Sequence, residues 1–288
     1  MNLTDKKIIL TSCVRNCATT LPTVIKKFIQ IYSCFSVESK IILIENDSTD
    51  GSKEFLENMS KSFSFIKIFS FQGLIEKKPL RTDRLAFCRN FAMNYIHKNH
   101  SDFDFIIIAD CDEVMANFNV KCIQTAIDFT ETTEPNWGMI SATSLPKYYD
   151  IWALRSKFLG VDFDCWDLIH HEMAQVGSSA INSGRWRYIE PWQKKIEKSA
   201  GLIPVQSAFN GFAIYKLPAT RNCKYAGINS TCQIAEIFGT KSGTGPCNKE
   251  VCEHVAFHKD MIDQHGAKLF ICPFLETCAE LAHLVHPK

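Results

Sequence analysis

No stretch of the 288-residue sequence stays apolar for the ~20 residues that a membrane-spanning helix requires, so no such helix is expected. The opening residues, Met1-Asn-Leu-Thr-Asp-Lys-Lys7, lack the pattern of a secretion signal and lead straight into the apolar triplet Ile8-Ile-Leu10. A cytoplasmic location is therefore the expectation. An excess of charge of one sign is missing too. The formal net charge of +1 gives no global attraction to nucleic acid or to a membrane surface, so an anionic ligand would have to be held by local groups. There is no internal repeat, no extended low-complexity tract, and no linker that divides the chain.

Cysteine is not scarce. Thirteen are present, an odd number that intramolecular disulfides cannot pair completely, and without a secretion signal most read as reduced, small, buried hydrophobes. Cys223, Cys232, Cys247 and Cys252 form a loose cluster, but their gaps do not match the close paired spacing of a structural zinc site; a lumenal setting would instead favour disulfides among them. With 46% hydrophobic and 22% charged residues, the composition is that of a globular protein able to bury a large core.

Apolar strands alternate with helical stretches through the first 120 residues. Strands are expected at 8–13, 40–44 and 63–71, and helices at 20–32, 52–60 and 81–98. The run Phe105-Ile-Ile-Ile-Ala-Asp-Cys-Asp-Glu113 adds another buried strand, ending in two aspartates one residue apart. Such crossovers suit parallel pairing, hence an α/β, doubly wound and mostly parallel sheet. After Lys121 the pattern loosens. Helices are expected at 122–129 and 167–175, strands at 138–144 and 208–216, and a flexible loop at 239–248.

Strand alternation turns Asp110 and Asp112 the same way, with Cys111 facing the core. Two convergent carboxylates suit a hard divalent cation that keeps positions open for phosphate oxygens. The pattern is common by itself, since Asp102-x-Asp104 and Asp162-x-Asp164 repeat it, but neither of those follows an apolar strand. A second strand runs into a polar loop, Lys40-Ile-Ile-Leu-Ile-Glu-Asn-Asp-Ser-Thr-Asp-Gly-Ser52, where Asp50 or Ser52 would cap the next helix. Ligands of open α/β sheets bind at strand carboxyl ends, so Glu45, Asn46 and Asp47 should share a crevice with Asp110 and Asp112.

The run Glu45-Asn-Asp-Ser-Thr-Asp-Gly-Ser52 resembles the nucleotide-binding loop of GT-A glycosyltransferases, particularly glycosyltransferase family 2 and the fungal capsule-type mannosyltransferases. Arg84-Leu-Ala-Phe-Cys-Arg-Asn90 is similar to the helix those enzymes place before their D-x-D, and the order of motifs fits from residue 8 to about 115. Beyond residue 120 only Phe209-Asn-Gly-Phe-Ala-Ile-Tyr-Lys216 and Cys252-Glu-His-Val-Ala-Phe-His258 look alike. The resemblance implies one GT-A domain, with a donor-binding half over 1–120 and a less regular acceptor-binding half over 121–288. It implies metal-dependent transfer of a sugar from a UDP- or GDP-sugar to a glycan or other hydroxyl acceptor.

Oxygen ligation by Asp110 and Asp112 favours Mn2+ or Mg2+. Asp112 is the leading direct ligand, and the resemblance implies a third from His254 or His258. Donor contacts are expected from Cys13, Arg15, Glu45, Asn46, Arg81, Arg84 and Asp110. A carboxylate base would come from Glu253, Asp260, Asp167 or Glu172 if the enzyme inverts; Glu253 and Asp260 lead. Trp152, Trp166, Trp186 and Trp192 offer flat faces for sugar rings, core packing being the other use. Asn46-Asp-Ser48 is an N-glycosylation acceptor inside this pocket, and a glycan there would block it. Two other classes stay open: a sugar-nucleotide pyrophosphorylase, whose usual Gly-rich loop has no counterpart in Ser12–Cys17, and a non-catalytic nucleotide- or carbohydrate-binding protein.

Overall fold

The computed structural model describes residues 1–229, 250–279 and 281–285. The expected loop at 239–248, with Cys232 and Cys247, lies outside the described residues. Four apolar runs form parallel strands, β1 (Ile8–Val14), β2 (Lys40–Asn46), β3 (Ile66–Phe71) and β4 (Phe105–Ala109). They are joined through α1 (Leu21–Tyr32), α2 (Ser52–Ser62), the single turn α3 (Leu74–Lys77) and α4 (Arg81–Asn99). Helix α1 carries Pro22 in its first turn, where no intrahelical N–H is lost, and buries Leu21, Val24, Ile25, Phe28 and Ile31 at three- and four-residue steps.

Alternation along the strands makes two cores. Ile9, Ile42, Ile44, Ile106 and Ile108 face one side, packed with Ala86, Cys88, Ala92 and Met93 of α4. Ile8, Leu10, Ile41, Leu43 and Ile107 face the other, packed with α1 and with Ile123, Ala126 and Ile127 of α5 (Cys122–Thr133). Helices on both faces explain why these strands read as unbroken apolar runs.

The second half extends the same sheet with β5 (Trp137–Leu145), β6 (Ile203–Val205), β7 (Phe212–Lys216) and β8 (Lys268–Cys278). Between β5 and β6 lie α6 (Cys165–Val176) and α7 (Ala180–Tyr188), and α8 (Glu253–His265) precedes β8. Among the described residues the sheet order is β3-β2-β1-β4-β7-β5-β8-β6. Only β7 and β6 run against the rest. The α/β, mostly parallel arrangement is as expected, and one sheet spans both halves of the chain.

Two boundaries differ from expectation for a physical reason. The strand expected from 208 begins only at Phe212, because Asn210 (φ 58°) and Gly211 (φ 79°) form a left-handed turn. Strand β2 runs two residues further than its apolar stretch, since Glu45 and Asn46 pair with Ser70 and Phe71 of β3.

Candidate active site

The carboxyl ends of β1, β2 and β4 open onto a cleft of about 560 Å³. Its first wall is two interlocked loops. Backbone N–H groups of Asn16, Cys17 and Ala18 donate to Ser48 Oγ (3.2 Å), Ser52 Oγ (2.8 Å) and Asp50 Oδ2 (2.9 Å), while Asn16 Oδ1 accepts from Thr49 N–H (2.9 Å). Gly51 (φ 92°) supplies the turn before α2, and Asp50 also accepts from Ser52 N–H. The polar residues after β2 therefore mainly shape the loop. Asp47 accepts from Ile75 N–H at 2.7 Å. Glu45, expected at the donor, is instead buried, accepting from Ser48 N–H at 2.8 Å and from the Ser70 hydroxyl, and does not line the cleft. Its neighbour Asn46 does line it, with Oδ1 buried and unpartnered, as do Cys13 and Arg15.

Asp110 and Asp112 enter from the end of β4. Asp110 N–H donates to Gly211 O (2.9 Å), extending the β4–β7 ladder by one step. Asp112 accepts from Val114 N–H (3.3 Å) and caps the turn Glu113–Met115, and the Thr20 hydroxyl holds Cys111 O at 3.1 Å. Burial, and then the charge of Asp112, push Asp110 well above the usual carboxylate range. Burial also raises Asp112, against the pull of Val114 N–H, His283 and Arg81. The other D-x-D pairs are structural: Asp104 binds Lys6 and Lys7 N–H, and Asp164 caps α6.

Helix α4 brings arginines to the same cleft. Arg89 is 6% exposed, donating to Glu253 (3.1 Å) and Asp110 (3.5 Å) with its guanidinium over the Phe209 and Tyr225 rings. Burial opposes its charge, but the anionic groups around it more than reverse that. Arg84 lines the cleft but spends Nη1 on the carbonyls of Lys78 (2.8 Å) and Pro79 (2.6 Å). Arg81, one turn earlier, is exposed at the rim.

The late segment divides. Glu253 and His254, in the first turn of α8, line the cleft. His254 stacks on Phe209 with centroids 3.9 Å apart, and both ring nitrogens are buried without a hydrogen-bond partner, Nε2 lying 3.7 Å from Glu253 Oε1. Burial and the charge of Arg89 hold its pKa well below the ordinary value. His258 is not available as a metal ligand: it is fully buried, with Nδ1 bonded to Ser207 Oγ (2.9 Å) and Nε2 to Tyr215 Oη (3.0 Å). Asp260 is displaced as well, since it accepts from Lys224 N–H at 2.9 Å and does not line the cleft. Neither Asp167 nor Glu172 lines it either, Glu172 being held by Arg187 and Tyr188.

The opposite wall comes from 149–193 and the tail. Trp152 and Trp166 line the cleft, whereas Trp186 and Trp192 do not. Tyr149, Asp150, Arg185, Gln193 and His283 are residues that sequence reasoning missed. Asp150 accepts from Asn210 N–H (3.0 Å) and Ala153 N–H (3.2 Å), and burial raises its pKa. Gln193 fixes the tail to this wall by donating to His283 O (2.8 Å) and accepting from Val285 N–H (2.9 Å). None of these five lies in a periodic stretch beside an apolar strand, the signal that exposed Asp110.

The donor set fits a hard divalent cation. Two aspartates whose charges are disfavoured by burial sit together, and a cation would relieve that. Among the described residues no three His, Cys, Asp or Glu side chains converge to hold a metal, so the carboxylate pair suits an ion completed by water and ligand oxygens.

The fold is an α/β sheet whose cleft opens at the strand carboxyl ends, the place where open sheets of this kind bind ligands. No family model matches it, and no curated protein matches it. Among solved structures it is similar to mannosyltransferase PcManGT from Pyrobaculum calidifontis, in complex with GDP-Man and Mn2+, at 10% identity and a TM-score of 0.45, covering 96% of this chain and 57% of that one. It is also similar to glucosyl-3-phosphoglycerate synthase from Mycobacterium tuberculosis, in complex with Mn2+, UDP and phosphoglyceric acid, at 10% identity and a TM-score of 0.46, covering 92% and 67%. A third, S. aureus TarS, gives 11% identity and 0.40, covering 76% and 50%.

Proposed function

We propose that this chain is a glycosyltransferase that moves a sugar from a nucleotide-sugar donor to a hydroxyl acceptor, with Mn2+ or Mg2+. The observation that carries the reading is the shared cleft, in which Asp110 and Asp112 meet Asn46, Cys13, Arg15 and Arg81 at the ends of three parallel strands. Asn46 presents an unpaired amide oxygen to a ribose or base, while Arg15 and Arg81 supply cationic donors for diphosphate oxygens. Asp110 and Asp112 would hold the divalent ion, which when bound would supply charge neutralisation for the departing nucleoside diphosphate.

The acceptor enters along the Trp152 and Trp166 wall. Glu253 is paired with Arg89, which leaves Asp150 as the carboxylate suited to take the acceptor proton, since burial raises its pKa above the ordinary carboxylate value. A cytoplasmic setting is part of the proposal. Asn46 is 4% exposed and a glycan on it is incompatible with the cleft, and the eleven described cysteines are all free.

The test is a panel of UDP- and GDP-sugars, with Mn2+ or Mg2+, followed by nucleotide release. At least one donor should be consumed, and chelator or Asp112→Asn should abolish its turnover; Asn retains a capping oxygen for Val114 N–H. If no donor is bound or consumed with either metal, the reading fails.

A further inference from the structure

Five arginines line the cleft, and one of them, Arg185, lies on the far wall, which also carries Asp150. Arg89 is committed to Glu253 and Asp110, and Arg84 to two backbone carbonyls. Arg15 and Arg81 stand on the donor side. Arg185, in the last turn of α7, lines the same cleft from the 121–288 half, and its Nε–H is buried without a hydrogen-bond partner. Two residues on, Arg187 shows what a structural arginine of this helix does: it pairs with Glu172 on α6, outside the cleft. A guanidinium N–H removed from water and left unpaired is costly, and the natural remedy is an anionic acceptor group in the space it faces.

We infer that the acceptor carries a phosphate or carboxylate group, and that Arg185 binds it beside Trp166. This inference rests on the transferase reading. The planar fork of arginine matches both anions through paired, charge-assisted N–H donors, whereas a neutral glycan hydroxyl offers it a weaker, uncharged acceptor.

The test uses the full chain with Mn2+ and saturating UDP or GDP, so that the donor-side arginines are already occupied. Glucose 6-phosphate, glucuronate and neutral methyl glucoside are titrated by calorimetry. One or both anions should bind at least about tenfold more tightly than methyl glucoside, the difference expected of a charge-assisted pair. Which anion is favoured separates phosphate from carboxylate. Arg185→Gln should erase the preference, Arg185→Lys should restore part of it, and Arg187→Gln should leave it unchanged. Equal binding of methyl glucoside, no binding of any of the three, or a preference that survives Arg185→Gln would overturn the inference. If neither nucleotide binds with metal while glucose 6-phosphate still binds through Arg185, the transferase reading fails and the anion site stands alone.

Discussion

Replacing Arg89 with Met removes the cation that Glu253 faces at 3.1 Å and Asp110 at 3.5 Å. Met keeps most of the apolar stem that packs against Phe209 and Tyr225, so the loss is mainly electrostatic. Both Arg89 and Glu253 are 6% exposed, so water cannot replace the lost partner. One-sided removal from a buried pair typically costs about 3–5 kcal/mol, a large part of the roughly 5–15 kcal/mol by which domains are stable. Asp110 sits partly in the open cleft and adds little, which places the expectation near 4 kcal/mol. For a chain of this size that is a drop in Tm on the order of 10 °C. Thermal and urea melts of the single variant and of Arg89→Met/Glu253→Gln measure it. The double variant should recover at least half the loss, because no buried charge is then unpaired. A single variant within about 1 kcal/mol of the parent, or a double variant as unstable as the sum of both singles, would refute the reasoning.

Gly211→Ala should cost at least about 2 kcal/mol in urea unfolding, since φ is +79° and a Cβ would lie 2.8 Å from both Tyr149 Oη and Val114 Cγ2. An unchanged midpoint and slope would show that the turn relaxes freely. His258, fully buried, has its pKa lowered to about 3 by burial and Arg89, below its unfolded value. Its neutral form therefore stabilises the fold fully above pH ~6.5, and that contribution falls away as pH drops from there toward 3. Melts between those limits should show the loss, and His258→Gln should flatten the slope; an equal slope in the variant would exclude His258 as its source.

The first half of the sheet was legible because its strands are buried on both faces and run straight into turn residues, a local pattern that needs no partner to be seen. Asp110, Asp112 and Asn46 were placed by the same pattern. Glu45 was not, because its carboxylate is fixed by Ser70, a residue on a neighbouring strand. His254 and His258 look alike in sequence, one helical turn apart, yet Ser207 and Tyr215 occupy both nitrogens of His258, while those of His254 make no hydrogen bond. Arg89 could be put on its helix, but its partner Glu253 lies 164 residues away. Tyr149, Asp150 and Arg185 reach the cleft from segments without clear periodicity, where only the assembled fold decides which side chains turn inward.

The Asp110 N–H donates the last ladder hydrogen bond to Gly211 O, so the β4 acid is seated by a turn from the far half of the chain. A fragment ending near residue 120 would retain the sequence motifs of the donor side but lose the strand against which this aspartate is aligned. Dissection of the protein into separately expressed pieces should therefore leave the acidic pair intact as a string of letters and absent as a binding site.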